Sequence, residues 1–208
     1  MAIDPVTLAI LKGRLEQIAD EMDAALFRSA FNPIIAEAHD ASHGIYDART
    51  GKTLVQGKSG LPIFVGVMAF GVKAVIDKAE KQGGVHEGDV WIFNDPYDGG
   101  THLPDITVIQ PVFEGGGAAP SYFTAARGHH ADIGGIAPGS VPSISTSIEE
   151  EGIVLENLLL VENGTLREDE IRAILSAGPN PARKVDQNIA DLAAQVAACR
   201  RGSDRLLG

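Results

Sequence analysis

The sequence predicts an α/β (α+β) protein: a mixed β-sheet with flanking helices and a loop-built metal site at the strand ends. Three observations predict it. Amphipathic helical patterns fill the first and last parts of the chain. Short β-branched and aromatic runs fill the middle. Every histidine except His86 falls in a polar or glycine-rich segment beside one of the predicted strands, where loops held by a rigid sheet usually carry sites.

Asp4-Pro5 opens the first helix, with aspartate as cap and proline at a position whose missing N–H costs nothing. Leu8, Leu11, Leu15, Ile18, Met22 and Leu26 then recur every three or four residues. The helix ends before Asn32-Pro33, because a residue preceding proline avoids the helical region. Ile45-Tyr46 and Leu54-Val55 flank Asp47-Ala48-Arg49-Thr50-Gly51 as a hairpin. A second amphipathic helix runs from about Val65 to Lys81, with Met68, Val72, Val75, Ile76 and Ala79 inward, and stops at Gly83-Gly84. Val90-Trp91-Ile92-Phe93, Ile106-Thr107-Val108-Ile109 and Tyr122-Phe123-Thr124-Ala125 read as three strands, two of them buried on both faces. Leu158–Val161 followed by Asn163-Gly164 reads as a strand and turn. Helices follow at about Glu168–Ala177 and from Pro181 onward, with Asn180 as cap. Val185, Ile189, Leu192, Val196 and Leu206 give the last helix apolar positions with no later element to cover them. Residues 1–208 are therefore expected to be the N-terminal portion of a longer protein.

Composition narrows the partners. The 208 residues are 44% hydrophobic with a net charge of −11, enough for a sizeable core. An acidic balance with no basic run argues against nucleic acid or an anionic membrane surface. No apolar stretch approaches the roughly 20 residues of a membrane helix. A single cysteine, Cys199, cannot form an internal disulfide, and no secretory leader precedes Asp4-Pro5, so a cytoplasmic location is expected.

His102-x-x-Asp105 sets an imidazole and a carboxylate within one turn of backbone, with Gly99-Gly100 and Pro104 shaping the loop. His129 or His130 can add a second nitrogen, and Asp40 a second carboxylate. Such a mixed set suits Zn²⁺, Mn²⁺ or Fe²⁺ and is catalytic if one coordination position stays open. Adjacent strand residues point to opposite faces, so one histidine of the pair is expected to bind, with His129 favoured. A lone His-x-x-Asp is also common as plain loop chemistry. Asp95 and Asp98 fit Asx-turns around Pro96-Tyr97, and Asp132 fits a residue that orients an imidazole. Gly51-Lys52-Thr53 is not a phosphate loop, since Tyr46 stands where the first glycine belongs. Ser140, Ser143, Ser145 and Ser147 lack a nucleophile elbow and read as solvated loop.

Asn94-Asp95-Pro96-Tyr97-x-Gly99-Gly100-Thr101-His102-x-Pro104-Asp105 and Gly128-His129-His130-Ala131-Asp132-Ile133-Gly134-Gly135 resemble the hydantoinase B/oxoprolinase family. Asp4-Pro5-Val6-Thr7 and His39-Asp40-Ala41-Ser42 resemble it too, so the likeness spans nearly the whole chain. The resemblance implies an ATP-dependent system of two components. A kinase-like A component phosphorylates the substrate, and a metal-bearing B component completes hydrolysis of a cyclic amide or carboxylation of a ketone. It implies Asp40, His102 and Asp105 as metal ligands together with one of His129 and His130, taken as His129. Asp132 and His130 are then the candidate proton-transfer groups. Family chains are longer than this one. Phe64 stands where hydantoinase-type members have histidine, which leans towards the acetone and acetophenone carboxylase branch. The rival expectation is a metal-stabilised scaffold subunit without chemistry of its own.

Overall fold

A computed structural model describes residues 3–64 and 66–208. Helix α1 (Pro5–Ser29) begins as expected, the Asp4 carboxylate accepting from the Val6 and Thr7 amides at 3.0 Å each. The short α2 (Pro33–Ala36) leads into the hairpin of β1 (Ala41–Asp47) and β2 (Thr53–Gln56), where Ile45 faces Val55. Helix α3 (Met68–Lys81) buries Met68, Val72, Val75 and Ala79; the expected start of that helix at Val65 lies outside the described residues. The central strands are β3 (Val90–Phe93), β4 (Asp105–Val112) and β5 (Tyr122–His129). The short α4 (Ile148–Glu151), the β6 (Leu158–Glu162)/β7 (Thr165–Leu166) hairpin, α5 (Glu168–Leu175) and α6 (Val185–Leu207) complete the chain. Asn163 and Gly164 both take positive φ in the β6–β7 turn, as a tight hairpin requires.

One seven-stranded sheet results, in the order β2-β1-β5-β4-β3-β6-β7. Every pairing in it is antiparallel, where a mixed sheet was expected. The reason lies in its covering. Apolar runs buried on both faces are the usual mark of parallel strands. Here helices cover both faces of an antiparallel sheet. Ile92, Ile106, Val108 and Ala126 face α6 and the end of α1, in a core with Leu26, Leu192, Val196 and Cys199. Trp91, Phe93, Ile109 and Ala125 face the other way, onto Phe64, Met68, Val72 and Val75.

Two helical expectations are revised. Helix α6 starts at Val185 rather than Pro181, because 181–184 is held by outside partners: the Ala182 amide donates to Leu175 O and the Arg183 amide to the Asp132 carboxylate. The apolar side of α6 is covered by the sheet, and Cys199 is fully buried, its thiol pushed up to about 12 by burial. Exposed apolar side chains include Val6, Leu8, Ile10 and Leu11 on the first turns of α1, and on α6 Leu207 at its very end. Among the described residues, no helix is long and apolar enough to cross a membrane.

Candidate metal centre

The site forms where β4 begins and β5 ends. The register sets Asp105 directly opposite His129. Their side chains lie on the α3 side of the sheet, with Thr107 and Arg127 next along the same face. His129 lies at the end of its strand as expected, whereas Asp105 is a strand residue and not the loop residue that the spacing of its motif suggested, and it is buried at 2% exposure.

His102 arrives from the preceding loop. Asn94 fastens that loop: its side-chain amide donates to Leu103 O and Ile153 O at 2.8 and 2.9 Å, and its oxygen accepts from the Leu155 amide at 2.7 Å. Asp95 closes the expected Asx-turn by accepting from the Tyr97 amide. Asp98 instead accepts from Asn157. Asp40 comes from the other neighbour of β5. The His129 amide donates to Asp40 O at 3.0 Å, which pins the residue just before β1 against the site.

His102 Nε2 then lies 3.1 Å from Asp105 Oδ1, His129 Nδ1 lies 3.0 Å from the same oxygen, and Asp40 Oδ2 lies 3.8 Å from His129 Nδ1. Bonds of about 2.1 Å to a dication place neighbouring ligand atoms about 2.9–3.4 Å apart, and the His102–Asp105 and Asp105–His129 separations both fall in that range. Among the described residues, His102, Asp105 and His129 form a group of potential ligands whose donor atoms all fall within 4.8 Å. Asp105 and His129 expose only 2% and 6% of their side chains, against 30% for His102 and 28% for Asp40, so the cluster is closed from behind and open in front.

The charges of the cluster are coupled. Burial pushes the Asp40 carboxyl up, and the Asp105 charge adds to this against the two imidazoles. Burial would also raise Asp105, but hydrogen bonds from His102, His129 and Thr101 outweigh it and hold the carboxyl far below the usual range. The bond to Asp105 raises His102. Because His102 Nδ1 faces the Ser140 carbonyl at 3.3 Å, which only accepts, Nε2 meets Asp105 with either a proton or a metal between them.

That choice gives an expected result. A His pKa raised by folding adds stability that is complete below the unfolded value and is lost as pH rises through the folded one. The metal-free chain should thus lose stability from weakly acid to weakly alkaline pH, while metal affinity climbs over the same interval as the proton leaves. Chelator-treated thermal melts and metal titrations read the two; affinity flat across this interval would contradict it.

The other two sequence candidates sit elsewhere. His130, one residue beyond β5, points to the α6 side and is fully buried. Asn188 donates to its Nδ1, and its Nε2 donates to Gln195, each at 3.0 Å; burial pushes its pKa down. The Asp132 carboxylate accepts from the Gly134 amide and from Arg183, both at 2.9 Å. Neither joins the cluster.

Three residues around the cluster escaped the sequence reading. Thr101 Oγ1 donates to Asp105 Oδ2 at 2.5 Å. Arg127, wholly buried, reaches Thr107 at 2.7 Å and Thr101 at 3.4 Å and lies over the Phe64 ring. Thr101 stands inside one conspicuous motif and Arg127 directly before the other, so their neighbourhood was legible and their roles were not. Ser140, set aside as solvated loop, lies against both imidazoles.

An antiparallel sheet covered on both faces, with two imidazoles and two carboxylates converging at one end, defines an α+β protein with a candidate divalent-metal centre. The chain belongs to the hydantoinase B/oxoprolinase family, whose profile matches residues 4–208. It is 38% identical to a 5-oxoprolinase of Dictyostelium discoideum, across 96% of this chain and 15% of that one. The crystal structure of the ATP-dependent caprolactamase from Pseudomonas jessenii superposes with a TM-score of 0.83 at 31% identity, over 99% of this chain and 34% of that one. Nucleotide-free acetone carboxylase superposes with a TM-score of 0.87 at 23% identity, over 98% of this chain and 26% of that one, a likeness of fold. The chain thus spans between about a seventh and a third of the length of these relatives.

Proposed function

We propose that this chain forms the metal-bearing part of a B-type component in an ATP-dependent enzyme that opens cyclic amides, working with a kinase-like A-type subunit. The observation that carries the reading is the convergence of His102, Asp105 and His129 on one point with Asp40 at its edge. The 5-oxoprolinase and caprolactamase relatives, both named for lactam substrates, support the substrate class.

In this reading Asp40, His102, Asp105 and His129 hold a divalent ion, Zn²⁺, Mn²⁺ or Fe²⁺. When bound, that ion supplies Lewis-acid chemistry at an amide carbonyl or a water. Asp105 orients both imidazoles and Asp40 balances charge on the open side. His130 and Asp132, expected from sequence as proton carriers, serve here to hold 129–135 against α6 and Arg183.

The test is an assay of the purified chain with and without an A-type subunit, ATP and a lactam such as 5-oxoproline or caprolactam. Ring opening with ADP release is expected only in the complete mixture, and the Asp105→Asn protein should abolish it. Turnover by the chain alone, or undiminished turnover with Asp105→Asn, would count against the reading. Metal removal that unfolds the chain along with the activity, in place of one that leaves the fold intact and abolishes turnover, would favour the metal-stabilised scaffold role. A second reading, ketone carboxylation, is favoured by Phe64, which packs under Arg127 instead of offering an imidazole. Incorporation of labelled bicarbonate into a ketone would select it.

A further inference from the structure

Both cluster histidines have a second ring nitrogen that faces away from Asp105, and both of these nitrogens end on one residue. His102 Nδ1 lies 3.3 Å from the Ser140 carbonyl oxygen, and His129 Nε2 lies 3.0 Å from the Ser140 hydroxyl. The rings are 5.1 Å apart, tilted by 41°. Ser140 is brought here by a reversal of the chain just after β5, where Gly134 and Gly135 take φ of 88° and 84°. At Gly134 a Cβ would come within 2.5 Å of Asn180 O, and at Gly135 within 2.7 Å of Glu150 O, so the turn has no room for side chains. The returning segment is tied down where the Ile136 amide donates to Glu150 O at 2.8 Å and the Thr146 amide donates to the Glu150 carboxylate at 2.6 Å.

We propose that Ser140 is a positioning residue of the cluster, setting the tautomer of His102 through its carbonyl and of His129 through its hydroxyl; the proposal rests on the metal reading above. A carbonyl oxygen only accepts, so His102 keeps a hydrogen on Nδ1 in both states; Nε2 carries a second proton towards Asp105 while the site is metal-free and presents its lone pair once that proton leaves for an ion. A hydroxyl both donates and accepts. It can give its hydrogen to His129 Nε2 while Nδ1–H bonds Asp105, and accept from Nε2–H once Nδ1 binds an ion. One residue thereby serves His129 in both states. Partners of this kind commonly change metal affinity 10–100-fold.

The same hydroxyl, imidazole and carboxylate also stand in the order of a hydrolytic triad, with 3.0 Å at each step. A triad has no use for His102 Nε2 on the same Asp105 oxygen, nor for Asp40 beside it. It also needs His129 Nε2 to stay unprotonated in the working enzyme. The two roles therefore differ in a measurable hydrogen position.

The experiment titrates Zn²⁺ and Mn²⁺ into metal-free wild type, Ser140→Ala and Ser140→Thr, with ring-nitrogen NMR of His102 and His129 before and after loading. Wild type should hold the His102 hydrogen on Nδ1 throughout and move the His129 hydrogen from Nδ1 to Nε2 on loading. Ser140→Ala should bind about 10–100-fold more weakly with an unchanged unfolding midpoint, and Ser140→Thr should recover most of the affinity. Ser140→Ala binding as tightly as wild type, or a His129 hydrogen that stays on Nδ1 after loading, overturns the positioning role. Labelling of Ser140 by a fluorophosphonate overturns it in favour of the triad. A wild type that binds neither ion overturns the metal reading beneath it, which the variants alone would not reveal.

Discussion

Asp105→Ala is expected to abolish metal binding and, unlike a change in an ordinary loop, to cost the fold about 3–5 kcal/mol, the range for breaking a buried charge network. One carboxylate oxygen takes both imidazoles and the other takes Thr101, which in turn lies 3.4 Å from Arg127. Removing it takes away the Asp105 charge that favours the buried Arg127 guanidinium and leaves Thr101 Oγ1 without that acceptor, at a site 2% exposed. Asp105→Asn keeps the volume and removes the charge, so it separates the two effects: metal affinity should fall at least about 100-fold with a smaller loss of stability. The carboxyl is lowered on folding, so its contribution is present above the unfolded pKa and fades as pH falls towards the folded one. The stability gap between wild type and Asp105→Asn should therefore narrow in strong acid. Denaturant midpoints and metal titrations measure all of this. An Asp105→Ala protein as stable as wild type would show that Asp105 belongs to a dispensable loop after all.

That error of placement shows what the sequence carries and what it leaves out. The polar motifs around His102 and His129 are conspicuous in one dimension. The apolar runs mark β4 and β5, but a run stops being visible at its first polar residue. Asp105 and His129 belong to their strands only because each is the other's cross-strand partner, and that pairing is a property of register. Strand direction was hidden for a related reason: helices on both faces erase the alternation that would distinguish antiparallel strands. The opposed directions of His129 and His130, by contrast, follow from the pleat alone and are visible in their separate partners, Asp105 and Gln195. Ser140 was illegible. Its role depends on where a double-glycine turn returns the chain, and no local pattern records that.

Gly99 tests how tightly the loop before β4 must sit for His102 to reach the cluster. It holds φ at +89°, and a Cβ there would stand 2.8 Å from both Cα and N of Gly71 and 2.9 Å from Phe70 C. These are backbone atoms of α3 and cannot swing aside. Gly71 in turn has Phe93 pressed against it, with a ring atom 2.2 Å from where its own Cβ would lie. The loop thus rests on the helix glycine to glycine, and α3 has no slack to retreat. In Gly99→Ala, about 1–3 kcal/mol of overpacking adds to about 1–2 kcal/mol of left-handed strain. The loop must lift, and His102, three residues on, lifts with it. Metal affinity should drop at least about 10-fold together with the loss of stability, since sites lose function over displacements of about 1 Å. Gly115→Ala is the control: its φ of +59° carries the same kind of strain, but nothing lies within 4 Å of its Cβ. It should lose about 1–2 kcal/mol and bind metal as wild type does. If Gly99→Ala matches Gly115→Ala in both measurements, the contact with α3 does not set the position of His102, and the loop is held by Asn94 alone.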